Sequence, residues 1–146
     1  MIWIMFAAIV VVFIVGYWFM TADTRKANDS LASLLKIKPM YIDSMLLEMG
    51  ERQSRMFIHS ISGGYAEEIR KAAYIVFIYH TFIKDASDEN VVKWRDVLLR
   101  AHLSPQLTSE HAELALFYFA GLDIEPFELA QFRRQYNETY NQIHLV

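Results

Sequence analysis

An uninterrupted apolar run at the start of the chain constrains its fold more than any other feature. Residues 2–20 are nineteen consecutive residues without a charge and without Asn, Gln, Ser or Thr. As an α-helix they would extend roughly 28 Å, which nearly matches a hydrocarbon core of about 30 Å. Trp3 and Tyr17 lie near its two ends, where aromatic rings favour membrane interfaces. The run is too long for a signal peptide, and no basic residue precedes it. The sequence therefore predicts a retained transmembrane anchor at residues 1–20, with the lipid bilayer as a partner through residues 2–20.

The alternative interpretation of the run is a buried core helix, but a stretch that is apolar on every face rarely fits a domain this small. Basic residues then predict its orientation, because Lys and Arg close to a span stay on the cytoplasmic side. None precedes the run, whereas Arg25, Lys26, Lys36 and Lys38 follow it closely. We therefore expect the short amino terminus outside and the carboxyl-terminal bulk inside. The absence of cysteine agrees with a reducing compartment.

The residues after the run have the charge of a domain that does not bind nucleic acid. They hold all 14 basic and all 17 acidic residues, which gives a net charge of −3, whereas nucleic-acid binders more often carry a basic surplus. No repeat and no Pro-, Gly- or Ser-rich linker divides them. The interpretation is an amphipathic stalk at residues 21–38 followed by a helical domain at residues 39–146.

Apolar residues recur at helical intervals in both segments, and no stretch alternates apolar and polar residues as a strand does. Pro39 and Pro105 interrupt the pattern. One predicted helix runs through Gly50, which costs about 1 kcal/mol relative to Ala and allows a bend there, and stops at Gly63. Trp94 shares a helix face with apolar residues one turn away on both sides, which places it in the core. The predicted fold is all-α, with an N-terminal transmembrane helix followed by a compact cytoplasmic bundle of about five helices.

The search for chemistry in the sequence is mostly negative. There is no cysteine nucleophile, no Gly-rich phosphate loop followed by Lys and Ser or Thr, and no pair of histidines one turn apart. We therefore expect no catalytic residues, no cofactor and no enzymatic activity. His80 lies in the second strongly apolar stretch, residues 72–83, and is interpreted as a buried core histidine, with a ligand or switch role as the alternative.

An acidic turn supplies the candidate metal ligands. Asp85, Asp88 and Glu89 place three carboxylates in five residues, and closely spaced oxygens suit Ca²⁺ or Mg²⁺. An EF-hand loop would need a longer ladder of oxygens, a central Gly and a terminal Glu. Helix capping explains the same residues, because Ser87 offers an oxygen to open amides and acidic residues suit the positive end of a helix dipole. Capping is the preferred interpretation, so no metal site is predicted.

Several segments, taken in order, resemble a known family: "MIWIM", "VVFIVG", "DSMLLEMG", "ENVVKWRDVLLRAHL", "LALFYF" and "FRRQYN". The chain resembles the uncharacterised YicN-like family of small enterobacterial inner-membrane proteins, which is classed as a domain of unknown function. The resemblance implies a mostly helical body in the bacterial inner membrane, and hence a periplasmic amino terminus and a cytoplasmic domain. The acidic turn is also similar to one that takes part in metal binding in helical tellurite-resistance type domains, although Ala86 stands where those domains commonly have Gly.

Together these features favour a membrane-tethered helical module that binds an unknown protein partner at the cytoplasmic face of the bacterial inner membrane. Tethering raises the effective concentration of a domain toward membrane-associated partners, so such a module needs no active site. The alternative is a divalent-metal or small-ligand sensor that uses the acidic turn from Asp85 to Glu89.

Overall fold

The protein is described from a computed structural model, which describes the backbone of residues 2–144 and the side chains of residues 2–11 and 25–139. Over these residues the fold is all-α, which confirms the helical part of the predicted fold class. The helices follow one another as α1 Ile2–Leu35, α2 Met40–Met49, α3 Glu51–Ser62, α4 Ala66–Ile78, a π-helix Tyr79–Lys84, α5 Asp88–Arg100, α6 Ser109–Tyr118, a 3-10 helix Ala120–Leu122 and α7 Pro126–His144.

The predicted transmembrane anchor at residues 1–20 is contradicted. Among the described residues, no helix combines the length and the apolar character that crossing a membrane requires. The side chains of residues 12–20 lie outside the described part. The prediction of a single-pass inner-membrane protein, with a periplasmic amino terminus and a cytoplasmic domain, is therefore wrong.

The predicted count of about five helices after the anchor is also too low, because the expected helix through Gly50 is two helices. Gly50 has φ +88° and ψ 167°, so it ends α2 and begins α3 instead of continuing either. That backbone conformation is essentially restricted to glycine. The described chain therefore has six α-helices after α1, with the π-helix and the 3-10 helix in addition.

The core is built around α4 and the start of the π-helix. Every residue from Ala72 to Thr81 is buried, and α1, α3, α5 and α6 all contact α4. Trp94 on α5 is only 3% exposed, which confirms its predicted place in the core. The last turns of α1 contribute Leu31 and Leu35 to the same core. The proposed division into a stalk at residues 21–38 and a domain at residues 39–146 stays a prediction.

The segment 101–108, which links α5 to α6, is fixed by side chains from distant helices. Tyr74 on α4 donates to the carbonyl oxygen of Ser104 at 2.7 Å. Tyr136 on α7 donates to the carbonyl oxygen of Pro105. Asn137 donates to the carbonyl oxygen of Leu107 at 2.8 Å and accepts from its amide at 3.0 Å. The connection is thereby bonded to both α4 and α7.

The conformation of Gly50 generates a stability prediction. Gly50→Ala should lower the free energy of unfolding by about 1 to 3 kcal/mol, because a residue with a Cβ is strained at that φ and ψ. A Cβ at Gly50 would meet no atom within 4 Å, so the loss would come from the backbone alone. Gly121→Ala is the matched control, since a Cβ there is equally free of contacts and its φ is not positive. If urea unfolding gives both variants the same midpoint, the conclusion that the backbone conformation of Gly50 requires glycine is contradicted.

Candidate functional site

The structure places the acidic turn at the join between the π-helix and α5, where its polar groups cap the helix. The Ser87 hydroxyl accepts a hydrogen bond from the amide of Asn90 at 3.4 Å, which confirms the predicted N-cap. The carboxylate of Asp85 accepts from the amide of Ser87 at 3.1 Å. Asp88 and Glu89 occupy the first turn of α5, where negative charge suits the helix dipole.

The same turn does not gather metal ligands. Over the described residues, no group of three or more His, Asp or Glu side chains is placed to hold a metal ion. The structure therefore does not bring Asp85, Asp88 and Glu89 together around a common point. One of the three carboxylates is already bonded to a backbone amide within the turn.

The most unusual local structure next to this turn is the π-helix Tyr79–Lys84. In a π-helix the backbone hydrogen bonds join residues five apart instead of four, so the carbonyl oxygens have different amide partners than in an α-helix. π-Helical turns occur frequently at functional sites. The side-chain amide of Asn90 donates to the carbonyl oxygen of His80 at 2.6 Å and to that of Asp85 at 2.9 Å. Thr81, which is buried, donates its hydroxyl hydrogen to the carbonyl oxygen of Phe77 at 2.7 Å. Asn90 therefore ties the start of α5 to the π-helix.

The ring of His80 lies at the centre of an aromatic cluster. It stacks on Trp94 with the ring centroids 4.2 Å apart and the planes 5° from parallel. Tyr41 and Tyr79 meet it edge-on at centroid distances of 5.5 Å and 4.8 Å. The ring is 2% exposed, which confirms the predicted buried histidine. These contacts join the start of α2, the π-helix and α5.

The hydrogen bonding of His80 defines what its ring can do chemically. Nε2 lies 2.9 Å from the carbonyl oxygen of Tyr41, and because a carbonyl only accepts, Nε2 carries the hydrogen and donates it. The pKa of His80 is lowered from 6.5 to about 4, chiefly because the ring is buried; the hydrogen bond to Tyr41 opposes this shift, and the charges of Lys84 and Lys93 add to it. The ring is therefore neutral near pH 7, and it contacts aromatic rings and a carbonyl instead of a nucleophilic side chain.

A second histidine is used for capping. Thr108 accepts a hydrogen bond from the amide of His111, and Nδ1 of His111 accepts from the amide of Thr108 at 3.1 Å, which together form a capping box at α6. The ring stacks on Tyr74 with the centroids 3.8 Å apart. Burial lowers the pKa of His111, which keeps Nδ1 free to accept. The sequence contains no local signal for this pair, because Tyr74 and His111 are far apart along the chain.

The capping interpretation of the acidic turn predicts how it responds to metal. Ser87→Ala should lower the free energy of unfolding by about 0.5 to 2 kcal/mol, equally with and without millimolar Ca²⁺ or Mg²⁺, because the lost bond is local to the backbone. Asp85→Asn is the matched control, since asparagine keeps an oxygen that can accept from the amide of Ser87. Thermal unfolding is the measurement. A metal-dependent rise in the melting temperature of the unsubstituted chain that Asp85→Asn removes would favour the sensor alternative.

The buried ring of His80 predicts a loss of stability in acid. Because its pKa is lower in the folded than in the unfolded chain, the unfolded chain binds more protons between pH 6.5 and about 4. The contribution of neutral His80 to the free energy of unfolding is therefore complete above pH 6.5. It decreases as the pH drops toward 4, by up to about 3 kcal/mol in total. Urea unfolding at a series of pH values should show a shallower dependence in His80→Gln than in His59→Gln, an exposed control. If the free energy of unfolding depends on pH equally in the two variants, His80 is not the source of the loss of stability in acid.

The comparisons with known proteins agree on one family. Residues 1–142 match the family described as "Protein of unknown function (DUF1198)". The chain is 31% identical over 137 residues to the "Uncharacterized protein YicN" of Escherichia coli strain K12, covering 94% of this chain and 91% of that protein. The same identity and coverage hold for the YicN protein of Escherichia coli O157:H7.

A solved structure is similar as well. The crystal structure of a protein of unknown function from Yersinia pestis is 65% identical, with a TM-score of 0.81, and covers 83% of this chain and 92% of its own. The predicted resemblance to the YicN-like family is therefore confirmed, without its membrane part. None of these descriptions names an activity that could be assigned to the cluster around His80. The chain belongs to the DUF1198 family of proteins of unknown function.

Proposed function

We propose that the protein is a non-catalytic helical module that binds another protein through the start of α1. One observation carries this proposal, the exposure of apolar side chains over residues 2–11. The large apolar side chains there are between 40% and 83% exposed: Ile2, Trp3, Ile4, Met5, Phe6, Ile9, Val10 and Val11. Contiguous apolar patches larger than a few hundred Å² are rare on proteins that work alone. A surface of this kind favours a partner that covers it.

The distribution of these side chains around the helix indicates the shape of that partner. Residues 2–6 are all exposed, and because successive residues are about 100° apart around a helix, they point in every direction. A second copy of the chain laid alongside would cover one face only. A deep groove in a different protein can enclose more of the helix than a single helix packed alongside it. We therefore choose a partner with an apolar groove.

The histidine clusters support the absence of catalysis in this proposal. His80 and His111 are the described histidines with shifted pKa values, and each is bonded to a backbone group and stacked on an aromatic ring. A general base must instead reach a proton on a substrate. Both rings therefore have a structural explanation that requires no substrate.

Site-specific photocrosslinking tests the proposal. The full chain, made with a photoreactive phenylalanine derivative in place of Phe6, should form one protein adduct of defined mass in cells. The same derivative at Glu113, which is exposed on α6, should not form that adduct. The adduct should disappear when Ile9→Asp and Val10→Asp place charges on the helix, because an apolar groove does not accommodate unpaired carboxylates. The exposed substitution Gln131→Asp, as control, should leave it unchanged.

Three outcomes of this experiment contradict the proposal. They are adducts with lipid alone, adducts between two copies of the chain alone, and a protein adduct that survives the two charged substitutions on α1. The first would assign the apolar residues to lipid, the second to self-association, and the third to non-specific contact.

A further inference from the structure

A cleft lies between the start of α5 and α7. α5 packs on α4 and the π-helix, whereas α7 packs on α6, so different neighbours hold the two walls. The volume of the cleft is about 200 Å³. A protein cavity of about 150 Å³ is large enough to bind benzene. The cleft therefore has room for a single aromatic ring with a short substituent.

The buried part of the cleft lining is apolar and is fixed by contacts with other elements. Val91 and Tyr136 are buried, and Phe132 is half-buried. The rings of Phe132 and Tyr136 have planes 19° apart and centroids 6.2 Å apart. Phe132 also contacts Phe82 of the π-helix at a centroid distance of 5.2 Å, and the Tyr136 hydroxyl donates to the carbonyl oxygen of Pro105. A ligand would therefore meet a preformed apolar surface, which lowers the ordering cost of binding.

The exposed part of the lining carries polar side chains and one charge. Asp88, Gln135 and Thr139 all line the cleft and are exposed. The side chains of Gln135 and Thr139 each supply a donor and an acceptor, and the carboxylate of Asp88 has about four lone-pair sites. That carboxylate can therefore accept from a ligand in addition to its contacts within the chain. Among the described residues that line the cleft, none is a Lys, Arg or His.

The charges near the cleft favour a positive ligand at the Asp88 end. Residues 84–89 contain one basic and three acidic residues, and therefore carry a net charge of −2. The positive end of the α5 dipole offsets only about half a unit of that charge. Burial raises the pKa of Tyr136, and the charge of Arg95 opposes this rise, so Arg95 acts on the lining as well. Arg95 follows Asp88 by seven residues on α5, which separates the two by about 10 Å along the helix axis.

We propose that this cleft binds a small organic cation, a primary ammonium group attached to one aromatic ring. The ammonium group donates to the carboxylate of Asp88, and the ring covers Phe132 and Tyr136, whose faces also attract positive charge. A metal ion fits the cleft less well, because no group of three or more His, Asp or Glu side chains is gathered in the described part of the chain. The inference goes beyond the proposed function and does not depend on the partner of α1.

A nuclear magnetic resonance titration of the full chain with benzylamine, which is protonated at pH 7, tests the inference. Benzylamine should bind saturably. Benzyl alcohol has the same ring without the charge, and should bind on the order of tenfold more weakly because it makes no charge-assisted hydrogen bond to Asp88. Asp88→Asn should weaken benzylamine binding by a similar factor. Glu89→Gln is the matched control, since it removes the same charge from the same helical turn outside the lining, and it should weaken binding by less than about threefold because of solvent screening.

A second pair of variants tests where the ligand lies. Thr139→Trp should abolish benzylamine binding, because the larger side chain fills the cleft from an exposed position. Gln131→Trp, at an exposed position of α7 outside the lining, should leave it unchanged. Circular dichroism of each variant verifies that it is folded.

Four outcomes overturn the inference. They are an absence of benzylamine binding, equally tight binding of benzyl alcohol, equal weakening by Asp88→Asn and Glu89→Gln, and unchanged binding in Thr139→Trp. Ile9→Asp with Val10→Asp should leave benzylamine binding unchanged, because those residues lie on α1 outside the cleft. Failure of this titration can therefore be told apart from failure of the crosslinking experiment at Phe6.

Discussion

The burial on every side of the second half of α4 and the start of the π-helix is the constraint on which the rest of the structure depends. Ten consecutive residues, Ala72 to Thr81, are buried, and ten residues make nearly three turns of a helix, so no face is left for solvent. Each large side chain buried in this way contributes about 1.5 to 3 kcal/mol relative to an exposed one. The gain is realised only when α1, α3, α5 and α6 are all in place around α4. The surrounding helices therefore share one core and depend on one another.

The last backbone carbonyl groups of a buried helix have no partner within the helix and are also shielded from water, so they need hydrogen-bond donors from elsewhere. The π-helix and Asn90 resolve this difficulty. Asn90 satisfies the carbonyl oxygens of His80 and Asp85 with a single side-chain amide, and His80 in turn bonds to the carbonyl oxygen of Tyr41. A substitution at Asn90 would leave two backbone oxygens without that donor, at a cost of about 1 to 3 kcal/mol for each one that stays buried. The functional hypotheses therefore concern the outer surfaces, since the central cluster is occupied by structural contacts.

The sequence predicts those parts of the fold that depend on local patterns. Trp94 could be assigned to the core because its apolar neighbours recur at helical spacing, and the cap at Ser87 follows from a side chain that bonds to the amide three residues away. At Gly50 the sequence predicts a bend at most and not the break between two helices, because a glycine permits a positive φ without requiring it. The π-helix carries no compositional signal. The stacking of His111 on Tyr74 and the bonds to segment 101–108 join residues that only the tertiary fold brings together.

The apolar run shows a different limit of inference from sequence. Its composition is suited to a membrane span. However, the length and apolarity of a helix show only that it can lie in an apolar environment, and they do not show whether lipid or protein provides that environment. The acidic turn shows the same limit on a smaller scale. Carboxylates spaced closely enough for a cation are also suited to the first turn of a helix, and the backbone amide of Ser87 already engages Asp85.

The fixation of segment 101–108 restricts how copies of this chain can associate. Exchange of terminal helices between two molecules requires a connection that can straighten and act as a hinge. Here Tyr74, Tyr136 and Asn137 make four side-chain hydrogen bonds to that connection from two different helices. Straightening it would break all four and expose the backbone groups they satisfy. Any oligomer of this protein should therefore form by contact between intact surfaces, with α6 and α7 of each molecule packed on their own core.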